Sequence, residues 1–191
     1  DVPGAGCIEA TLIDAGYPTV FVDASALGLR GTELQRDVNS NPRLLALAES
    51  VRARGAMAIG LAASAEAAAA RPHTPKLAFV APPATYAAAD GRTVRAEDID
   101  LLARIFSMGS LHHAMTGTGA VAIAAAAAVP GTLVHRLCGA AAAGRIRFGH
   151  PSGVMSVGAE AVARDGRWAV SKVAMSRSAR RLMEGWVRVP A

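Results

Sequence analysis

The sequence predicts an α+β domain in which a mostly antiparallel sheet wraps around one buried central helix. The helix is predicted over residues 120–129, which carry no polar side chain. A helix that is apolar on all sides has to be buried on all sides. Strand-like segments lie on both sides of it in the sequence, and its alanines allow neighbouring backbone to come close. A sheet curled around this helix is the simplest soluble arrangement.

Length and composition favour a single domain over residues 1–191. The chain is 52% hydrophobic and 18% charged, so it can bury a core and is not expected to be disordered. Two cysteines are too few for a disulfide framework and fit a reducing compartment, so we expect a cytoplasmic protein. The apolar run at residues 120–129 falls well short of the ~20 residues that span a bilayer, so we expect no membrane segment.

The first half of the chain is predicted to alternate between strands and helices. Residues 8–14 and 18–23 are strand-like and flank a Gly-Tyr-Pro turn. A helix follows, because Asn41 can cap it and Pro42 can occupy its first position. The alanine-rich residues 62–70 are predicted to extend this helical region. Residues 76–80 then form a buried strand.

The second half is predicted to be mainly strand apart from the central helix. Apolar alternation favours a strand over residues 98–108, and a glycine-rich loop over residues 109–119 leads into the helix. A strand is expected at residues 145–148. Residues 154–163 and 168–175 flank a turn containing Asp165-Gly166, which indicates a hairpin. A short terminal strand is predicted at residues 186–189.

Cysteines and tryptophans are predicted to be structural. Trp168 and Trp186 lie in strand-like segments and are therefore expected in the core. Cys7 and Cys138 lack a glycine-rich helix start beside them, so both are interpreted as buried, unreactive thiols.

Charge is unevenly distributed along the chain. Residues 101–191 carry 11 Lys/Arg and 3 Asp/Glu, whereas residues 1–100 carry 9 and 12. This asymmetry points either to an anionic ligand or to an ordinary basic surface. Nucleic-acid binding predicts a steep dependence of affinity on salt. It is the weakest of the readings, since a nucleic-acid surface usually adds exposed aromatic residues or a clustered basic helix.

The most informative segment is the turn that opens the central helix. The first N–H groups of a helix have no intrahelical partner and carry partial positive charge. Thr116, Gly117, Thr118 and Gly119 could therefore cradle a carboxylate. The alternative is a threonine cap without a ligand. The adjacent residues His112-His113 are poor metal ligands, because no ligand spacing accompanies them, so no metal is expected.

Longer motifs resemble a known family. Residues 104–120 align without gaps on the motif R-x-[FY]-E-R-G-x-G-E-T-x-A-C-G-T-G-A of the diaminopimelate epimerase-like superfamily. The closer resemblance is to its 2-methylaconitate cis-trans isomerase (PrpF) branch, which includes 4-oxalomesaconate tautomerases. The segments that show this resemblance are Leu12-Ile13-Asp14-Ala15-Gly16, Thr74-Pro75-Lys76, Ser107-Met108-Gly109, His113-Ala114-Met115-Thr116-Gly117-Thr118-Gly119-Ala120, Gly149-His150-Pro151-Ser152-Gly153 and the basic run from Met175 to Gly185.

This resemblance implies half of a two-domain enzyme. The family fold has two similar halves, each a sheet around a helix, with the active site between them. The chain resembles the C-terminal half, and residues 186–190 would return toward the N-terminal half, which would be its partner. The lysine and cysteine expected as the acid/base pair belong to that other half, so no catalytic residue is assigned here. The isolated chain is expected to be nearly inactive and could form homo-oligomers, because an apolar interface would be exposed.

Departures from the epimerase motif indicate a different substrate. Thr116 stands in place of the second catalytic cysteine, and a threonine hydroxyl cannot take a proton from carbon without an activating base. Ser107 replaces the glutamate, and Met108 replaces the arginine that grips the substrate. Residues 74–79 fall where the superfamily has a second motif, G-x-N-V-x-F. Lys76 stands in place of its asparagine, which adds a positive charge suited to a tricarboxylate. The alternative for Lys76 is a surface lysine that begins a strand.

The resemblance therefore implies a cofactor-independent isomerase or tautomerase. It would shift or isomerise a double bond in an aconitate-like di- or tricarboxylate by removing a proton and returning one elsewhere. This half would bind the substrate carboxylates through Lys76, Ser107, Met108, His112 and the segment from Thr116 to Gly119. The alternative is a non-catalytic module that binds carboxylates or pairs with a partner.

Overall fold

The computed structural model describes residues 1–139, 141, 144–177 and 179–190. Its strands are β1 (Ala10–Ala15), β2 (Tyr17–Asp23), β3 (Lys76–Ala81), β4 (Tyr86–Ala87), β5 (Thr93–Val94), β6 (Leu101–Ser107), β7 (Ser110–Leu111), β8 (Arg145–His150), β9 (Gly153–Arg164) and β10 (Arg167–Met175). Its α-helices are α1 (Gln35–Asn39), α2 (Pro42–Ala58), α3 (Ala65–Ala69), α4 (Gly117–Ala128) and α5 (Leu133–Cys138). No helix in these ranges is long and apolar enough to cross a membrane.

One curled sheet dominates the fold. Its strand order is β1-β2-β3-β6-β8-β9-β10, with β7 paired to β6, while β4 and β5 form a separate hairpin. Pairing is antiparallel except between β2 and β3 and between β6 and β8. The predicted α+β class with a mostly antiparallel sheet is therefore confirmed.

Helix α4 lies inside the curl of the sheet, as the alanine-rich sequence predicts. Its buried residues pack against side chains from one face of the sheet, including Phe21, Ile105 and Phe148. The predicted range of 120–129 needs correction, because the helix begins at Gly117 and ends at Ala128. It starts earlier because the Thr116 hydroxyl accepts a hydrogen bond from the Gly119 amide and so caps the first turn.

Helix α2 covers the opposite face of the sheet. The Asn41 side chain accepts a hydrogen bond from the Leu44 amide at 3.2 Å, and Pro42 occupies the first turn, which confirms the predicted start. Gly55 lies against Val20 so closely that a side chain at residue 55 would collide with it. The alanine-rich stretch at 62–70 is helical only over Ala65–Ala69, where Ser64 caps a separate short helix.

The C-terminal hairpin is confirmed and is longer than predicted. Strands β9 and β10 pair antiparallel around a turn formed by Asp165 and Gly166. Both residues have positive φ, 50° and 72°, which is the conformation that a tight right-twisted hairpin turn requires. An Asp-Gly pair tolerates this conformation well, so the turn position could be recognised from sequence.

Three predictions of burial or structure are wrong. Trp168 is 47% exposed on the edge strand β10, and Trp186 is fully exposed. Residues 186–190 form no strand in the structure, so their predicted return toward the other half stays a prediction. Cys7 is exposed, whereas Cys138 is buried as expected. Each of these residues lies near a chain end or a sheet edge, where the described residues supply no covering layer.

Candidate functional site

Lys76 and Ser107 project from neighbouring strands toward the α4 side of the sheet. Side chains alternate between the two faces of a strand. Ala78 on β3 and Ile105 on β6 pack in the core around α4, and each lies two residues from Lys76 or Ser107. The Leu77–Phe106 pairing then sets Lys76 beside Ser107.

The Lys76 ammonium is partly buried and available to an anion. Its Nζ lies 3.2 Å from the Ser107 Oγ and 5.4 Å from the centre of the Tyr17 ring. Among the ion pairs formed by described residues, none involves Lys76. Burial lowers the pKa of Lys76, because removal of water disfavours the charged form. A carboxylate beside this ammonium would offset that loss of hydration.

The start of α4 presents backbone donors at closely packed glycines. Thr116 Oγ1 accepts a hydrogen bond from the Gly119 amide at 3.1 Å. The amides of Gly117 and Thr118 belong to the first turn, where no intrahelical acceptor exists. A Cβ on Gly119 would lie 2.6 Å from Ile105 Cδ1, so this position has no room for a side chain.

The turn between β1 and β2 lies between the start of α4 and Lys76 and contacts both. Gly16 has a φ of 72°, and a Cβ built on it would lie 3.0 Å from Val121 Cγ1 and 3.9 Å from the Thr118 carbonyl oxygen. The next residue is Tyr17, whose ring faces Lys76. Tyr17, Lys76 and Ser107 therefore lie at the end of the sheet where α4 begins.

His112 and His113 lie in the loop between β7 and α4. Their rings stack with centroids 4.5 Å apart, and the His112 amide donates to the Ile105 carbonyl at 2.8 Å. The His112 Nδ1 lies 2.9 Å from the Ala114 carbonyl oxygen, and the Ser152 hydroxyl donates to the His113 carbonyl at 2.7 Å. Among the described residues, no group of three or more His, Cys, Asp or Glu side chains is arranged to hold a metal ion.

Met108 is separated from the other candidate residues. It has a φ of 56° in the turn after β6, and its side chain is 62% exposed. It borders a small depression with Arg52, Leu77 and Phe106 on the α2 side of the sheet. The structure thus brings Lys76, Ser107 and the helix start to the α4 side and directs Met108 to the opposite face.

Comparison with known proteins agrees with this architecture. Residues 1–190 match the family described as PrpF protein. The chain belongs to the PrpF family. It is 58% identical over 190 residues to the 2-methyl-aconitate isomerase of Shewanella oneidensis, covering all of this chain and 48% of that protein.

Two further comparisons extend the likeness, one to a second relative and one to a solved structure. The chain is 37% identical over 187 residues to the 3-methylitaconate isomerase of Eubacterium barkeri, covering 96% of this chain and 48% of that protein. A solved structure of methylitaconate-delta-isomerase superposes with a TM-score of 0.81 at 34% identity, covering 98% of this chain and 49% of that one. The chain thus spans about half the length of the relatives it matches.

The sequence-based prediction of this PrpF-family site missed two of its neighbours, Tyr17 and Arg177. The sequence assigns Tyr17 only to a turn, yet its ring packs against the Lys76 ammonium, with the Nζ 5.4 Å from the ring centre. The alternation along β2 is the signal that could have placed it on the α4 side. Arg177 lies in the basic run near the C-terminus, and its Nη1 is 3.1 Å from where a Cβ on Gly117 would lie. Local sequence carries no signal for that approach across 60 residues.

Proposed function

We propose that this chain is the carboxylate-binding half of an isomerase that shifts or isomerises a double bond in an aconitate-like di- or tricarboxylate. Family membership and the names of the relatives support the reaction class. The observation that carries the binding role is the partly buried Lys76 ammonium, held 3.2 Å from Ser107 and not ion-paired to any described carboxylate. Coverage of about half of each relative supports a division of labour with a second half.

Two groups of donors would hold the substrate carboxylates. Lys76 and Ser107 offer an ammonium and a hydroxyl on the inward face of the sheet. The first turn of α4 offers the free amides of Gly117 and Thr118, and the helix dipole adds partial positive charge there. Two separate anchors fix the orientation of a polycarboxylate, whereas a single charge would hold a monocarboxylate more loosely.

The proposed chemistry is a proton transfer that leaves the oxidation state of the substrate unchanged. A base removes a proton from the carbon next to the double bond. That carbon either carries a carboxylate itself or is linked to one through the double bond. The electron pair delocalises over the double bond and onto the carboxylate oxygens, and a proton is then returned to a different carbon. Preorganised donors aimed at those oxygens stabilise the developing charge without a cofactor.

The proton-transfer groups would come from the other half of the enzyme. Thr116 is hydrogen-bonded to the Gly119 amide as a helix cap, and its hydroxyl is too weak an acid to exchange protons with carbon unaided. The inward-facing residues of this chain are therefore assigned to binding and orientation. His112 contributes a polar wall beside β6 in this proposal, while Met108 is left out of the site because it faces the α2 side.

Calorimetry with tricarballylate, a saturated tricarboxylate, tests the binding role on the 191-residue chain. Lys76→Met should weaken binding by about 10- to 100-fold, because a hydrogen bond to a charged group contributes about 1.5–3 kcal/mol. Lys172→Met is the matched control, since Lys172 is exposed and already pairs with Glu160 at 3.0 Å. It should bind tricarballylate like the unaltered chain.

Turnover is measured separately, by proton NMR of cis-aconitate in deuterated buffer. We expect no double-bond migration and no deuterium uptake with the 191-residue chain alone. Turnover would contradict the assignment of the acid/base groups to another half. Equal tricarballylate affinity for Lys76→Met and Lys172→Met would contradict the assignment of Lys76, and absence of binding would contradict the carboxylate site.

A further inference from the structure

Arg52 is a buried cation on α2. Its guanidinium forms a bidentate ion pair with Glu49, in which Nε lies 2.7 Å from Oε2 and Nη2 lies 2.6 Å from Oε1. The same guanidinium donates to three backbone carbonyl oxygens: Nη2 to Ala68 at 2.7 Å, and Nη1 to Thr74 at 2.8 Å and to Arg71 at 3.5 Å. Each of its five N–H groups therefore has an acceptor.

The three carbonyl groups belong to α3 and to the connection that leads from α3 into β3. The last of them, on Thr74, lies two residues before Lys76. Pro75 stands between the two and has no N–H group to donate. Lys76 is the first residue of β3 and pairs with Thr19 of β2, whereas pairing with β6 begins only at Leu77. Arg52 thus fixes the backbone immediately before Lys76, where the pairing of the described strands has not yet begun.

The chemistry of this cluster fits a role in geometry better than a role in stability. A buried ion pair is weak evidence for stability, because removing two charges from water offsets most of their attraction. A guanidinium, in contrast, is a planar fork that fixes the directions of its five donors. Glu49 and Arg52 are one turn apart on α2, so the carboxylate orients the guanidinium plane, and the guanidinium in turn orients the connection.

We propose that Arg52 is a positioning residue for Lys76: together with Glu49 it fixes the chain before β3, so that the lysine ammonium is already ordered beside Ser107. The inference rests on the binding role proposed above for Lys76. Arg52 itself does not touch the substrate, because it lies on the α2 side of the sheet and Lys76 points to the α4 side. A side chain that is ordered in advance loses less conformational entropy when a carboxylate binds.

The Lys76 side chain can be observed directly, because the chain contains only two lysines. Carbon-13 at lysine Cε therefore gives two signals in an NMR titration. The second lysine, Lys172, is 66% exposed and serves as the internal reference. Burial lowers the pKa of Lys76, so a loosened and better hydrated ammonium should titrate at a higher pH, closer to Lys172.

Two variants remove opposite charges from the same ion pair. Arg52→Gln and Glu49→Gln should both raise the pKa of Lys76, because each breaks the bidentate contact that orients the connection. Arg54→Gln is the matched control, since it makes the same substitution at an exposed residue of α2 and should leave the Lys76 signal in place.

The two variants also separate positioning from a simple effect of charge. If charge alone acted, loss of the Arg52 cation would raise the pKa of Lys76, and loss of the Glu49 carboxylate would lower it. Opposite shifts would therefore overturn the proposal. An unmoved Lys76 signal in variants with lower urea midpoints would also overturn it, because the cluster would then serve stability alone. If Arg52→Gln does not fold, Glu49→Gln decides, since positioning and charge predict opposite shifts for it.

Calorimetry with tricarballylate connects the position of Lys76 to binding. Affinity should fall about 2- to 10-fold in Arg52→Gln and in Glu49→Gln, because the lysine must then be ordered as the ligand binds. Arg54→Gln should bind like the unaltered chain. Full affinity in the first two variants would overturn the proposal. Absence of binding by the unaltered chain would contradict the carboxylate site, and the NMR signal of Lys76 would still decide the positioning role.

Discussion

Gly119→Ala should destabilise the protein although alanine is the better helix former. A Cβ at this position would lie 2.6 Å from Ile105 Cδ1 and 2.7 Å from Thr116 Oγ1, both well inside normal contact. Overpacking costs about 1–3 kcal/mol, and displacement of the Thr116 cap adds about 1 kcal/mol. Alanine returns about 1 kcal/mol through helix propensity. The net loss in the free energy of unfolding is therefore about 1–3 kcal/mol.

Urea denaturation followed by far-ultraviolet circular dichroism measures this loss, and the melting temperature should fall about 2–4 °C for each kcal/mol. Gly117→Ala is the matched control within the same helical turn. Among the described residues, its Cβ would meet only Arg177 Nη1, at 3.1 Å, and that atom ends a flexible, exposed side chain. The control should stay within about 0.5 kcal/mol of the unaltered chain. Equal stability of the two variants would refute the close packing assigned to the helix start.

Three further predictions use separate parts of the structure. Thr116→Ala should cost about 1 kcal/mol of unfolding free energy in urea, and Thr116→Ser should restore most of it, because the lost group is the capping hydroxyl. Burial and the neighbouring Arg104 lower the pKa of His150 to about 4. Because the unfolded chain then binds the proton more readily than the folded chain, the free energy of unfolding should be at its full value above pH 6.5 and should decline as the pH falls toward 4. His150→Asn should flatten that part of the urea-derived profile; an unchanged slope would contradict the assignment. Ellman's reagent should modify Cys7 alone in the folded chain and both thiols after unfolding. Cys7 is exposed, whereas burial raises the pKa of Cys138 to about 12. Two fast-reacting thiols in the folded chain would be inconsistent with the buried position of Cys138.

The sequence predicts helix starts and turns correctly where they depend on interactions between residues that are close together along the chain. The start of α2 follows from Asn41 and Pro42, since a cap and a fixed φ act within one turn. The hairpin turn follows from Asp165 and Gly166, which tolerate positive φ. The start of α4 was predicted three residues late, because glycines were interpreted as loop although the Thr116 cap draws them into the helix.

The sequence predicts the direction of only some side chains in the candidate site. The glycine-rich turn and Lys76 could be selected from motifs, and the structure places both at the α4 end of the sheet. The separation of Met108 from Ser107 could not be anticipated from the motif, in which the two residues are adjacent. Ser107 ends β6 on the face that packs against α4, whereas Met108 lies in the following turn with a φ of 56° and borders the depression on the α2 side, so the turn geometry and the packing decide the two directions.

The sequence by itself determined the α+β class, the buried alanine helix and the resemblance to the PrpF family. These depend on composition, periodicity and motifs that lie close together along the chain. Only the tertiary structure decided that Tyr17 packs on Lys76, that Arg177 reaches Gly117, and that Cys7 and Trp186 are exposed. The physical reason is that exposure and contact depend on which distant segments pack together, and no local pattern encodes a neighbour that lies many residues away.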